Sequence, residues 1–268
     1  MKITGKPFAT VLSCALALTL AACGGGNGNA SGNAGSSDAA VVATSDGKDA
    51  KGEGVMTYAE YSAAAVDDPV VIEAFVQGKQ AWWENKATIY AQDADGGYFI
   101  YNAECTEEDY AKLVDGQKIK VKGYKAEWSG EVEVAEGATI EIEDGTWVAE
   151  AQDCTSLLGT DKLIDHQNQK VAFKDLTVEP SKDADGNEAA FLYNYDGSGK
   201  AGENTDLYFN VSDGKATYSF TVESYLNDES SDVYKKVTQL KVGDKIDAEG
   251  FLYWYEGANP HITSVVVK

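Results

Sequence analysis

Histidine is close to absent from this chain: 268 residues hold two, beside four cysteines and four prolines. Neither His166 nor His261 has an acid, base or thiol near it in a catalytic spacing, so nucleophilic and general-base chemistry have no evident centre. The cysteines and histidines form no metal-ligand pattern either, and no cofactor is expected. Basic side chains are the next shortage, 22 against 44 acidic ones for a formal charge of −22. A phosphate backbone needs a basic patch, which makes nucleic acid a poor partner. An acidic surface also keeps a secreted protein soluble.

Long apolar runs are missing too, with one exception. Residues 1–23, MKITGKPFATVLSCALALTLAAC, place Lys2 and Lys6 ahead of an apolar stretch from Phe8 to Ala22 and stop at Cys23. The stretch is too short to be a membrane span followed by a domain and has the form of a secretory signal. Its ending, Leu20-Ala21-Ala22-Cys23, resembles the lipobox of bacterial lipoproteins. That resemblance implies cleavage before Cys23 and a diacylglyceryl anchor, with acyl chains such as palmitate, at the extracytoplasmic face of the cell membrane. Two acyl chains hold stably where one is marginal. The expected order is a lipoprotein signal peptide over 1–22, then a disordered Gly/Ser/Asn-rich tether over 23–54. Such a coil has an end-to-end distance of roughly 30 Å.

Beyond the tether the chain repeats itself. DGQKIKVKGYKAEWSG at 115–130 and VGDKIDAEGFLYWYEG at 242–257 align at an offset of 127 residues, matching Gly116 with Gly243, Ile119 with Ile246, Gly123 with Gly250, Trp128 with Tyr255 and Gly130 with Gly257. Two copies are too few for a solenoid and read as tandem domains. Ile119 and Val121 alternate with Lys118, Lys120 and Lys122, and Val132 and Val134 with Glu131 and Glu133. This period of two predicts strands with one buried face and one wet face. In the first copy three strands, a short helix opened by Thr106 and two further strands follow one another,.

That order, with glycine in the fourth strand, resembles the oligonucleotide/oligosaccharide-binding (OB) fold, a five-stranded Greek-key barrel. The second copy fits the same template with an insertion. The expected protein is mainly β, with two tandem five-stranded OB-like Greek-key barrels, each carrying a short helix. Residues 55–150 form the first barrel with an N-terminal helix capped by Thr57 and Glu60, 151–167 a helical linker, and 168–268 the second barrel. A pair of β-sandwich domains is the competing arrangement. Pro69, Pro180 and Pro260 each fall beside a predicted strand rather than within one,. Lipobox, soft tether and two barrels together are similar to tandem-barrel lipoproteins of Gram-positive anaerobes.

Other motifs lead to plainer structures. GSGKAG at 197–202 matches a dinucleotide-binding pattern but precedes a strand, ENTDLYFNV, and reads as an exposed loop,. DADGNE at 183–188 has glycine fourth rather than sixth, so it is a turn and not an EF-hand; DADGG at 93–97 is its counterpart,. Weak calcium on an acidic surface is the one metal partner left open. Lys118, Lys120 and Lys122 share a strand face, but the second copy has Lys245, Asp247 and Glu249 there. An ion-pair ladder with Glu131 and Glu133 is expected in place of a phosphate track. Cys105 and Cys154, 49 residues apart, either oxidise to a disulfide or stay as buried thiols,.

Aromatic side chains are the surplus. Trp83, Tyr90, Tyr98, Tyr101 and Trp128 in the first copy, with Tyr193, Tyr208, Trp254 and Tyr255 in the second, are the candidate ligand-binding residues. OB barrels bind on strands two and three and the flanking loops, using rings as platforms. About half of these rings must instead fill barrel cores. Neighbours on a strand face opposite ways, so one of Trp82 and Trp83, and one of Trp254 and Tyr255, should point outward. The expected function is a non-catalytic binding module for glycan or peptide. The alternative is a structural lipoprotein that docks on another envelope protein; a nucleic-acid-binding OB protein and a hydrolase rank below both.

Overall fold

The computed structural model describes residues 51–268; the expected signal peptide, the expected lipid attachment at Cys23 and the expected tether up to residue 50 lie outside the described residues. The described chain opens with α1 (Tyr58–Ala63), started by the capping box that the sequence implies: Glu60 N donates to Thr57 Oγ1, and Thr57 N donates to the Glu60 carboxylate. Its last carbonyls are met from outside the helix. Lys125 Nζ donates to the carbonyls of Tyr61, Ser62 and Ala64.

The first barrel comprises β1 (Pro69–Lys79), β2 (Lys86–Gln92), β3 (Gly97–Glu104), α2 (Glu107–Lys112), β4 (Gln117–Trp128), β5 (Glu131–Val134) and β6 (Thr139–Thr146). β1 pairs antiparallel with β2 and with β4, and β2 with β3. β3 runs parallel to β5, while β4 pairs with both β5 and β6. β5 and β6 are thus two halves of one interrupted fifth strand. The ring closes as a five-stranded barrel with its helix between the third and fourth strands, the OB arrangement.

A short lead-in follows, β7 (Gln152–Asp153), and then two 3-10 turns, Thr155–Leu157 and Leu163–His166, where the sequence suggests a helical linker. The second ring begins with β8 (Lys170–Glu179). Its insertion holds the hairpin β9 (Ser181–Lys182) and β10 (Glu188–Ala189), then β11 (Leu192–Tyr193). β12 (Leu207–Ser212), β13 (Thr217–Val222), α3 (Asp232–Val237), β14 (Lys245–Phe251) and β15 (His261–Val267) complete it. β8 pairs with β12 and β14, β12 with β13, and β13 runs parallel to β15. The protein is mainly β, with two five-stranded barrels and not a pair of sandwiches. The Asp183 turn closes the β9–β10 hairpin, its carboxylate accepting from the N–H groups of Asp185 and Asn187.

Alternation along each strand fills three cores. Ile89, Tyr98, Ile100, Ile119 and Val121 point into the first barrel, and Phe173, Phe209, Phe220 and Ile246 into the second. Tyr90, Phe99 and Phe251 form a third cluster between the barrels, where Tyr90 stacks on Phe251 with centroids 4.4 Å apart and planes 6° from parallel. Gly78 makes room for that stack: a Cβ there would lie 2.8 Å from Phe251 Cε2.

Two expectations need correction. Glu131 and Glu133 are buried and not solvated, because the outer face of β5 packs against the second barrel. Lys118 pairs instead with Glu73 of β1 and Glu143 of β6, and Lys120 with Glu73. Tyr90 and Tyr98 are fully buried and offer no platform. Of the two states open to Cys105 and Cys154, the structure has buried free thiols, each in the core of a different barrel.

Candidate functional site

Strand alternation that sends Tyr98 and Ile100 inward leaves Phe99 and Tyr101 on the outer face of β3. The same logic puts Tyr208 on the outer face of β12, opposite Leu207 and Phe209, and Thr221 on that of β13. β3, β12 and β13 belong to the second and third strands of their rings, the customary OB binding face. Here the two faces turn toward each other. Between them lies a cleft of about 670 Å³, lined from both barrels.

Rings form its walls. Tyr253 stacks on His261, with centroids 4.4 Å apart and planes 23° from parallel, and meets the edge of Phe99 at 5.3 Å. Trp128 and Tyr255 pack on each other at 5.1 Å. Under the walls the Tyr90 hydroxyl and His261 Nδ1 share a hydrogen bond of 2.9 Å. Burial pushes the His261 pKa down to about 3, so this imidazole is neutral.

Three carboxyl groups enter the same space. Glu223 accepts from Tyr225 N at 3.2 Å, Leu226 N at 3.0 Å and Gln80 Nε2 at 3.2 Å, the last bond joining the barrels. Burial, reinforced by the charge of Asp206, pushes its pKa up to about 7. Asp206 Oδ1 accepts from Ser224 N and Oγ, both at 2.8 Å. Glu133 differs from both: the residue is 9% exposed, its backbone is paired in the sheet, and its carboxyl group has no hydrogen bond or ion pair to any described residue. Burial alone pushes its pKa up to about 7. Beside it on β5, Glu131 is fully buried, with Oε2 accepting from Trp254 N at 2.8 Å and Gln167 Nε2 at 3.2 Å. Burial, opposed by bonds from Asn168, Trp254 and Gln167, leaves its pKa at about 8.

The cleft can stack on a ring-shaped ligand, exchange hydrogen bonds through neutral carboxyls and accept positive charge. No lysine lines it. Among the described residues no three His, Cys, Asp or Glu side chains converge to hold a metal ion.

Of the candidate residues, Tyr101, Trp128, Tyr208 and Tyr255 line the cleft and Tyr90 lies in the cluster beneath it. The others are elsewhere. Tyr98 donates to Asp93 Oδ2 at 2.8 Å inside the first barrel, and Tyr193 packs on the second core. Trp83 is 69% exposed on the β1–β2 turn, while its neighbour Trp82 is turned inward, donating to the Cys105 carbonyl. Trp254 lines a separate cavity of about 530 Å³, walled by Leu163, Ile164, Tyr218 and Pro260. Tyr255, the outward member of its pair, faces the cleft. Sequence reasoning missed Phe99, Tyr253, His261, Glu133 and Glu223. Phe99 and Tyr253 each adjoin a named candidate, and alternation could have found them had the covered face been known.

No family model matches the chain, and no curated protein does. Among solved structures it is similar to a murine DNA-binding protein bound with double-stranded DNA, at 16% identity over 75% of this chain and 94% of that one, TM-score 0.33. It is similar as well to the p204 HINb domain, at 10% identity over 76% and 97% of the two chains, TM-score 0.31. A third is a replication protein A heterotrimer bound to single-stranded DNA, at 11% identity over 77% and 51%, TM-score 0.30. Likenesses at this level assign no ligand to the present chain, and its fold rests on the strand pairing described above.

Proposed function

We propose that this chain is a non-catalytic binding module, held at the extracytoplasmic face of a membrane by a diacylglyceryl group on Cys23, which takes a glycan or peptide into the cleft between its barrels. The observation that carries the reading is the cleft itself. Its 670 Å³ fall within the range of roughly 300–1,000 Å³ usual for small-molecule sites,. Rings from both barrels line it together with a few convergent polar groups. A nucleic acid is disfavoured there, since phosphates would meet carboxyl groups and no lysine,.

The test is a thermal-shift screen of the protein against cell-wall and dietary glycans and short peptides, since a ligand that binds only the folded state raises the melting temperature. Tyr255→Ala and Tyr208→Ala are expected to abolish the shift and keep the fold; Trp83→Ala is expected to leave it intact. Loss of the shift with Trp83→Ala alone would move the site away from the cleft. The anchor is tested separately, by Cys23→Ala releasing the protein from the membrane fraction.

A further inference from the structure

We propose that the ligand of the inter-barrel cleft is a sugar bearing a protonated amine, its charge set against Glu133 and its ring against Tyr253 and Tyr255. This rests on the binding reading given above and names the chemistry of the ligand.

Glu133 is the observation that points to it. The side chain is nine-tenths buried, faces the cleft and lacks any partner among the described residues. Ionised, it has no countercharge from the protein; neutral, its O–H has no protein acceptor; its oxygens open onto the cleft, so solvent or a ligand must supply the partner. A ligand that covers the cleft and excludes that solvent must satisfy the carboxyl itself. Asp206 and Glu223, by contrast, have their lone pairs engaged by backbone and side-chain donors of the protein. A positively charged N–H donor is the group that completes Glu133, and a charge-assisted bond to a carboxylate is about twice as strong as a neutral one.

The surroundings select the sign and shape of that donor. No lysine lines the cleft and its imidazole is neutral, so nothing there repels a cation or attracts an anion. Faces of Tyr and Trp rings attract ammonium groups through their quadrupoles. A bare metal ion is a poor fit, because the acids do not converge as a ligand set. The cation is therefore organic, and the ring walls of the cleft suit a pyranose with its amine at one edge. The titratable groups around Glu133 are Glu131 on the same strand, Tyr101 and Tyr253 beside it, and Asp206, Glu223 and His261 in the same cleft. Burial holds Glu133 partly protonated near neutrality, so docking a cation should expel a proton.

The experiment is calorimetric titration of the full chain with a glucosamine trisaccharide and with its N-acetylated counterpart, at a mildly acidic pH where the amines are charged. The two share length and ring scaffold and differ in charge. The charged trisaccharide is expected to bind at least roughly tenfold more tightly, with proton release shown by titration in two buffers of different ionisation heat. Glu133→Gln, which keeps shape and removes charge, is expected to erase the preference; Glu133→Ala, with the same expected loss, serves as the second variant if that protein does not fold. Equal affinity for the two trisaccharides, or a preference that survives Glu133→Gln, overturns the inference and leaves the binding reading standing. Tighter binding of tri-lysine than of the charged trisaccharide overturns the assignment to a sugar. No binding of either trisaccharide or of tri-lysine overturns both.

Discussion

Trp128 and Tyr255 occupy the same position in the two copies of the repeated stretch, and in the folded protein their rings pack against each other, 5.1 Å apart and inclined by 42°. The turns that follow them dock as well. Glu256 N donates to the Ser129 carbonyl at 2.7 Å, and a Cβ on Gly130 would come within 2.8 Å of Trp254 Cδ1. A duplicated element has thus become its own partner, and the cleft forms beside the seam.

The pair supplies the first prediction. An aromatic contact of this kind is worth about 0.5–1.5 kcal/mol beyond the area it buries. A double-mutant cycle of Trp128→Ala and Tyr255→Ala, read by denaturant unfolding, should give a coupling energy of that size. Both rings also line the cleft, so each single variant should weaken ligand binding while the barrels stay folded. Additive losses would mean that the rings touch without supporting each other.

Phe251 should matter more. Its ring stacks on buried Tyr90 and fills the space left by Gly78. Truncation of such a residue costs about 3–5 kcal/mol, and here the loss falls on the seam between barrels, since each barrel keeps its own core. Phe251→Ala is expected to split one cooperative melting transition into two. Gly78→Ala, which crowds the same ring, should act in the same direction with a smaller effect. A single transition in both variants would place the cooperativity elsewhere.

The strand order was legible because period-two alternation and internal duplication report the same ring twice, and the Thr57 and Thr106 caps mark helix starts by local chemistry alone. The site was less legible. EVEV at 131–134 and TIEIED at 139–144 look alike in sequence, yet Glu131 and Glu133 are buried while Glu141 is exposed. Alternation says that one face of a strand meets a core; it does not say that the other face meets a second domain. Tyr124 and Phe251 make the same point, for they are equivalent in the repeat, but the first is 60% exposed and the second is 2% exposed.

Lys125 is 7% exposed and spends its three donors on the carbonyls that end α1. Lys125→Met keeps most of the aliphatic stem and removes all three bonds. A loss of about 1–3 kcal/mol is expected from the unpaired carbonyls, with faster amide exchange confined to α1 and the β4 segment that holds it. Uniformly faster exchange over both barrels would contradict this local role.

The two thiols lie in separate cores, and burial raises the pKa of both, that of Cys154 to about 11. Thiols kept protonated are poor nucleophiles. Neither should react with a thiol reagent in the native protein, both should react in denaturant, and reductant should leave the melting temperature unchanged. Rapid labelling of the native chain would show that a barrel opens readily at Cys105 or Cys154.

Stability should fall as pH rises through neutrality. Burial lifts Glu131 to about 8 and Glu133 and Glu223 to about 7, against roughly 4.3 for an unfolded glutamate. Over that interval the native state holds more protons than the unfolded one, so each acid removes about 1.4 kcal/mol of stability per pH unit. His261, lowered to about 3, works the other way below its unfolded value of roughly 6.5, where the unfolded chain binds the extra proton. It therefore offsets one of the three acids at mildly acidic pH and none above. Unfolding by urea across this range should show stability declining from about pH 5 to about pH 8, with Glu131 the largest contributor to the part nearest pH 8,. Glu131→Gln keeps the acceptor for Trp254 N and should make the decline shallower over the whole interval, with the largest proportional loss toward pH 8,. If the wild-type profile is level from pH 5 to 8, the seam between the barrels admits enough water to ionise its acids where they stand.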